Sequence, residues 1–174
     1  MPSPSPDDLA RAESRIAVTP DFPTPGVLFR DIGPVLADAG SLATVTAALA
    51  APFEGRYDFV AGVEARGFLL AGALAAATST GLLPIRKAGK TPNPTASVDY
   101  ALEYGVATIE AAGDLTGRRV LVVDDVLATG GTLAAAVSLV EQLGGEVAGV
   151  AVVLELTELG GRERVPEAHA VFTA

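Results

Sequence analysis

The sequence predicts an α/β fold: a central, mainly parallel sheet flanked by helices. Three observations carry that prediction. Short apolar runs at FVAGV (59–63), LLPIR (82–86), RVLVV (119–123) and EVAGVAVVLEL (146–156) alternate with the helical stretches GFLLAGALAAA (67–77) and TLAAAVSLVEQL (132–143). That alternation is the pattern of strand–helix–strand units. RVLVV shows no apolar/polar alternation, as expected of a central strand covered on both faces. A chain of 174 residues, 49% of them hydrophobic, can bury one real core, which predicts a single domain over residues 1–174.

The remaining elements follow in order. Residues 1–6 alternate with proline and are expected to be disordered. DDLARAESRIA reads as a short helix capped by Asp7 or Asp8. DFPTPG breaks it. SLATVTAALA is expected to be a helix capped at Ser41. KAGKTPNPTASVD (87–99), with two prolines, a glycine and an asparagine, reads as a long mobile loop. ALEYGVATIEAA reads as extended chain with a turn at Gly105.

Composition excludes several functions. No cysteine is present, so neither disulfides nor thiolate chemistry are available. A net charge of −9 does not suit a nucleic-acid binder, which needs a basic face. FLLAGALAAA (68–77) is too short to span a bilayer. MPSPSPDD has neither the basic nor the apolar region of a secretory signal. The expectation is a soluble cytoplasmic protein without nucleic-acid or membrane partners. His169 is the lone histidine and reads as structural or surface.

The chemistry concentrates in VLVVDDVLATGGT (120–132). The strand is expected to end at Asp124 and the next helix to begin near Gly131 or Thr132. Ala128, Thr129, Gly130, Gly131 and Thr132 then offer backbone N–H groups, two hydroxyls and the positive end of a helix. Such a nest holds a phosphate monoester. Asp124 and Asp125, at the carboxyl edge of a sheet, can accept hydrogen bonds from sugar hydroxyls. Cradle and acids together fit ribose 5-phosphate. The Walker and dinucleotide glycine patterns are absent. ATGGT alone equally fits an ordinary strand-to-helix turn. Arg86, Lys87 and Lys90 form the one local basic cluster, which alone could be a solvated patch.

VLVVDDVLATGGT resembles the phosphoribosyl pyrophosphate (PRPP) motif of type I phosphoribosyltransferases. DFPTPGVLFRDIGPVL (21–36), VEARGF (63–68), PIRKAGK (84–90), YALEYG (100–105) and ELTELGGRER (155–164) resemble, in family order, segments of the adenine phosphoribosyltransferases. The resemblance covers roughly residues 16–165.

It implies transfer of ribose 5-phosphate from PRPP to adenine, giving AMP and pyrophosphate, in purine salvage. It implies a small hood over the base from the N-terminal segment, a flexible loop over residues 87–103, and an unusual, often cis, peptide between Glu64 and Ala65. The 5′-phosphate would sit on Ala128 to Thr132 and the ribose hydroxyls on Asp124 and Asp125. Arg66, Arg86, Lys87 and Lys90 would meet the pyrophosphate. Leu28, Phe29, Arg30 and Val126 would meet adenine, although Val27, Leu28 and Phe29 could equally form a small core cluster. Glu103 would handle the proton, with Tyr104 closing over the site. Outside the resemblance both read as plain strand residues. Mg²⁺ would accompany PRPP with no dedicated protein cage, and the chain would form a homodimer. Two residues depart from the family pattern. Asp99 puts an acid before Tyr100, tolerable if it points outward, and Glu158 stands where an apolar residue is more common.

The competing expectations are a phosphoribosyltransferase for hypoxanthine or xanthine, or a non-catalytic PRPP-binding regulator. The N-terminal segment argues against the first. The short stretch before the matching region, and the acidity, argue against the second.

Overall fold

The computed structural model describes residues 1, 3–102 and 105–174. The chain divides into two compact units, Met1–Ala48 and Leu49–Ala174.

In the N-terminal unit, α1 (Pro6–Glu13) is capped by Ser5, whose hydroxyl accepts the Asp8 N–H at 3.2 Å. The expected caps Asp7 and Asp8 sit instead in the first turn, because Pro6 suits the opening helical position and starts the helix earlier. Their charges still face the positive end of the helix. β1 (Ala17–Pro20) and β2 (Leu28–Asp31) pair antiparallel around the DFPTPG turn, with Thr19 opposite Phe29. The turn holds a cis Phe22–Pro23 peptide and a left-handed Asp21, whose carboxylate accepts the Gly26 N–H at 2.8 Å. A short α2 (Gly33–Ala37) leads to α3 (Ala39–Ala50). α3 begins before the expected Ser41, because Asp38 takes the capping role and accepts from the Ser41 N–H at 2.9 Å and its hydroxyl at 2.7 Å.

The larger unit holds a seven-stranded sheet in the order β5-β6-β4-β3-β7-β8-β9. Its strands are β3 (Phe59–Val63), β4 (Gly81–Lys87), β5 (Ala96–Leu102), β6 (Gly105–Ala111), β7 (Arg119–Leu127), β8 (Glu146–Glu155) and β9 (His169–Thr173). Strands β4, β3, β7, β8 and β9 run parallel, and β5 and β6 form an antiparallel edge. The expected mainly parallel sheet is therefore present. α4 (Arg66–Thr78) and α5 (Gly131–Gln142) make the crossovers.

The two helices cover opposite faces. Ala61 and Val63 of β3 join Val120 and Val122 of β7 in one buried cluster with Leu133, Ala136 and Leu139 of α5. Between them Gly62 faces the other way, onto α4. A Cβ there would stand 2.6 Å from the Ala71 Cβ and 2.7 Å from the Gly67 carbonyl, so glycine permits the close approach of α4. RVLVV is buried on both faces by this sandwich, as its unbroken apolar pattern predicts.

Two expected boundaries are corrected. β7 does not stop at Asp124 but continues to Leu127, since β8 still pairs with it there, Val126 opposite Leu154 and Leu127 opposite Glu155. β3 pairs only as far as Val123 and then turns into α4, which frees one edge of β7 from Asp124 onward. The expected loop 87–99 is also shorter. Lys87 ends β4, and β5 starts at Ala96, where Ala96, Val98 and Tyr100 alternate toward the core. Asp99 lies on the opposite, exposed face and accepts the Thr108 hydroxyl at 2.6 Å, so the acid does point outward. Glu158 is exposed as well. His169 lies in β9 with its ring edge-on to Phe53 at 6.2 Å.

Arg119, at the start of β7, grips Asp58 just before β3. Its Nη2 and Nε donate to the carboxylate at 2.9 and 3.1 Å, and its backbone N–H donates at 3.1 Å. These bonds hold the Asp58 pKa down to about 2, below its ordinary 3.8. A depressed carboxylate stabilises the fold above the unfolded pKa and loses that contribution as pH falls through the folded one. Arg119→Leu should therefore lower the melting temperature at neutral pH. The gap from wild type should shrink as pH falls from about 4 toward 2. A gap independent of pH would show that the pair does not contribute.

Among the described residues, no helix is long and apolar enough to cross a membrane.

Candidate active site

The site forms where β3 and β7, adjacent and parallel, present their carboxyl ends. After β7 the chain turns at Gly130, whose φ of +78° is left-handed, and enters α5. Among the described residues no side chain caps α5. Its first-turn N–H groups therefore face a cleft lined by Asp124, Val126, Ala128, Thr129, Gly130, Gly131 and Thr132. The cleft measures about 70 Å³. That is far below the roughly 300–1,000 Å³ of a whole drug-sized ligand pocket and suits a group of phosphate size. Every residue expected to hold ribose 5-phosphate except Asp125 lines this cleft.

Asp125 does not line the cleft and pairs with Arg66, Nη1 to Oδ2 at 2.8 Å. Arg66 opens α4 directly after the Glu64–Ala65 peptide, which is cis as the resemblance implies. Asp124 is packed against α4 and accepts the Asp125 N–H at 2.9 Å. Burial, and then the neighbouring charge of Asp125, push the Asp124 carboxyl well above its usual range, while Arg66 opposes that shift.

The basic cluster gathers around a residue that sequence reasoning passed over. Glu64 accepts the Lys87 N–H at 2.9 Å and forms an ion pair with Lys90. Those contacts, the Lys90 hydrogen bond first, hold the Glu64 carboxyl below its usual range. Arg86 donates to the Lys90 carbonyl oxygen. The backbone of the cluster is thus tied into a built turn, while Lys87 and Lys90 are exposed.

Another unanticipated group stands beneath the phosphate loop. Arg162 donates from Nε and Nη2 to buried Glu155 at 2.8 and 2.7 Å, and from Nη1 to the Ala168 carbonyl at 2.9 Å. That clamp fixes the turn holding Gly161 against Ala128 and Leu127. The only signal in the sequence was the run ELTELGGRER itself.

The expected base segment, Leu28, Phe29 and Arg30, lies on β2 of the N-terminal unit. Phe29 meets Phe22 edge to face at 5.0 Å. Val27 and Leu28 are 41% and 50% exposed, so they do not form a core cluster. Glu103 and Tyr104 lie outside the described residues. Among the described residues no three His, Cys, Asp or Glu side chains converge on a metal position. The acid pair suits a hydrated magnesium ion held through water and substrate oxygens.

A small cleft between the end of a central parallel strand and an uncapped helix start, with an aspartate pair at the strand end and Arg66 on one of those acids, fits a type I phosphoribosyltransferase. A phosphoribosyl transferase domain model matches residues 35–173. The chain is 57% identical over 171 residues to the adenine phosphoribosyltransferase of Saccharopolyspora erythraea, covering 96% of this chain and 93% of that one. The crystal structure of the Rhodothermus marinus adenine phosphoribosyltransferase superposes with a TM-score of 0.92 at 44% identity, covering 98% of this chain and all of that one. The Saccharomyces cerevisiae enzyme, solved with an imino-altritol bisphosphate and adenine, gives 0.87 at 34% identity over 94% of this chain and 97% of its own. The chain belongs to the adenine phosphoribosyltransferase family.

Proposed function

We propose that this chain, as a cytoplasmic homodimer, joins adenine to PRPP, forming AMP and releasing pyrophosphate. The observation that carries the reading is the cleft between the end of β7 and α5, lined by Asp124, with the Asp125–Arg66 pair next to it in sequence. In the reaction N9 of adenine attacks the anomeric carbon. The bond from that carbon to pyrophosphate breaks, and the base gives up one proton.

Uncapped N–H groups of α5 and the hydroxyls of Thr129 and Thr132 would hold the 5′-phosphate. Asp124 and Asp125 would accept from the ribose hydroxyls, and their charge would favour the cationic ring that develops as the bond breaks. Arg66, Arg86, Lys87 and Lys90 would draw off the pyrophosphate. Mg²⁺ bound with PRPP would neutralise pyrophosphate oxygens. Leu28, Phe29 and Arg30, together with Val126, would read and cover adenine, Glu103 would take the proton, and Tyr104 would close the site. Support for the homodimer comes from Leu69 and Leu82, large apolar side chains 58% and 44% exposed on α4 and β4.

The test is a base panel with purified protein, PRPP and Mg²⁺. AMP and pyrophosphate should form with adenine, and no nucleotide with hypoxanthine, guanine or xanthine. Turnover with another base would keep the PRPP half of the reading and overturn the base half. Saturable PRPP binding without turnover would identify a regulator.

A further inference from the structure

Glu110 is an ionisable residue in a buried run of β6, between Ile109 and Ala111, and is itself only 5% exposed. A carboxylate placed there needs donors, since an unsatisfied buried charge is costly. It finds them in the backbone: Oε1 accepts the Lys90 N–H at 2.9 Å and the Thr91 N–H at 2.7 Å. The sheet explains the meeting. Glu110 stands opposite Arg86 in the last rungs of β4 against β6, so its side chain reaches the turn that begins after Lys87. These N–H bonds hold the Glu110 carboxyl below its usual range, as expected when backbone donors surround the charged form.

The same turn is held from β3's side by Glu64, which takes the Lys87 N–H and the Lys90 ammonium. Two carboxylates, one on β6 and one just after β3, therefore fix residues 87–91. The Glu110 bonds are to backbone and leave every cationic side chain of the turn free to move. The Glu64 ion pair is to the Lys90 side chain, 47% exposed, and an incoming anion can exchange with it.

We propose that Glu110 is a positioning residue for pyrophosphate: it fixes the backbone of the turn so that Lys87 and Lys90 present their charges to the leaving group, with only the Lys90 side chain moving off Glu64. This rests on the assignment of Arg86, Lys87 and Lys90 to pyrophosphate. Glu110 touches no substrate and acts through the turn.

The experiment measures the reverse reaction, AMP plus pyrophosphate, in the full-length protein with Mg²⁺. Glu110→Asp keeps the charge and withdraws the acceptor by one methylene, whereas Glu110→Gln keeps an acceptor oxygen in place without the charge. The Asp variant should raise the KM for pyrophosphate at least about tenfold, with the KM for AMP changed by less than about twofold. The Gln variant should recover most of that loss. Glu110→Ala should match or exceed the Asp variant; if it does not fold, the Asp/Gln pair decides. An unchanged pyrophosphate KM in the Asp variant overturns the proposal. So does an equal rise in both KM values, which would mark a general structural role. Lys87→Ala and Lys90→Ala, run alongside, separate the two levels. If neither weakens pyrophosphate, the assignment of the cluster fails and the proposal with it. If both do while the Glu110 variants do not, only the proposal fails.

Discussion

Arg66→Gln should lower turnover by about 10²–10³-fold, the usual cost of removing one group aimed at developing charge. It should also move the acid limb of the pH–rate profile to higher pH. Both effects follow from one geometry. Arg66 faces the proposed pyrophosphate position at the head of α4, so its loss removes a cation that strengthens as pyrophosphate leaves. It also holds Asp125 at 2.8 Å and pulls down the Asp124 carboxyl, which burial and Asp125 push up. A carboxyl with a raised pKa is ionised only above that value, so activity that needs the carboxylate rises with pH through it. Without Arg66 that limb shifts upward, and the deficit against wild type should be largest at low pH and shrink as pH rises. A uniform deficit across pH would assign Arg66 to the leaving group alone. An unchanged rate would remove it from the site. The polar length of glutamine keeps the helix start filled, so the melting temperature reports separately on folding.

Much of this was legible beforehand, for identifiable reasons. Strand–helix alternation is a local signal, and the parallel sheet followed from it. The turn into α5 and the cleft beside it were legible because they sit in one continuous run, Ala128 to Thr132. What escaped depends on partners distant in sequence. β7 runs past Asp124 because β8 still pairs with it, and nothing in DDVL records that. Pro92 and Pro94 concealed that pairing resumes so soon after them, at Ala96 opposite Ala111 of β6. Glu110 in TIEAA carries no local signal of a role; its donors come from 19 and 20 residues upstream. Glu64 was read only as one side of a peptide bond, although its side chain gathers Lys87 and Lys90 from 23 and 26 residues away. Residue types suggest the chemistry of the site, and sheet register decides how its supports are tied together.

Gly130→Ala tests the cradle itself. Two costs act together. Gly130 has φ +78°, a region that costs an ordinary residue about 1 kcal/mol or more. The added Cβ would also stand 2.5 Å from the Gly161 carbonyl oxygen and 3.2 Å from the Arg164 Cβ. Neither the oxygen nor the turn behind it can yield easily, since Arg162 clamps that turn to Glu155 and to the carbonyls of Pro166 and Ala168. The strain must therefore fall on Ala128 to Gly131, whose N–H groups would hold the phosphate. The expected result is a stability loss of about 3 kcal/mol, in the range of named backbone and packing faults. Ribose 5-phosphate binding should fall at least tenfold, by roughly 1.4 kcal/mol or more. Gly117→Ala is the control, with a similar φ of +71° and nothing within 4 Å of the added methyl. It should cost only the conformational part, about 1 kcal/mol, and leave binding unchanged. If both variants lose equal stability and neither loses ligand, the turn beneath the loop is soft, and Arg162 and Glu155 do not shape the phosphate site. If Gly130→Ala alone loses ligand, the site is held as much by the turn behind it as by the motif in front.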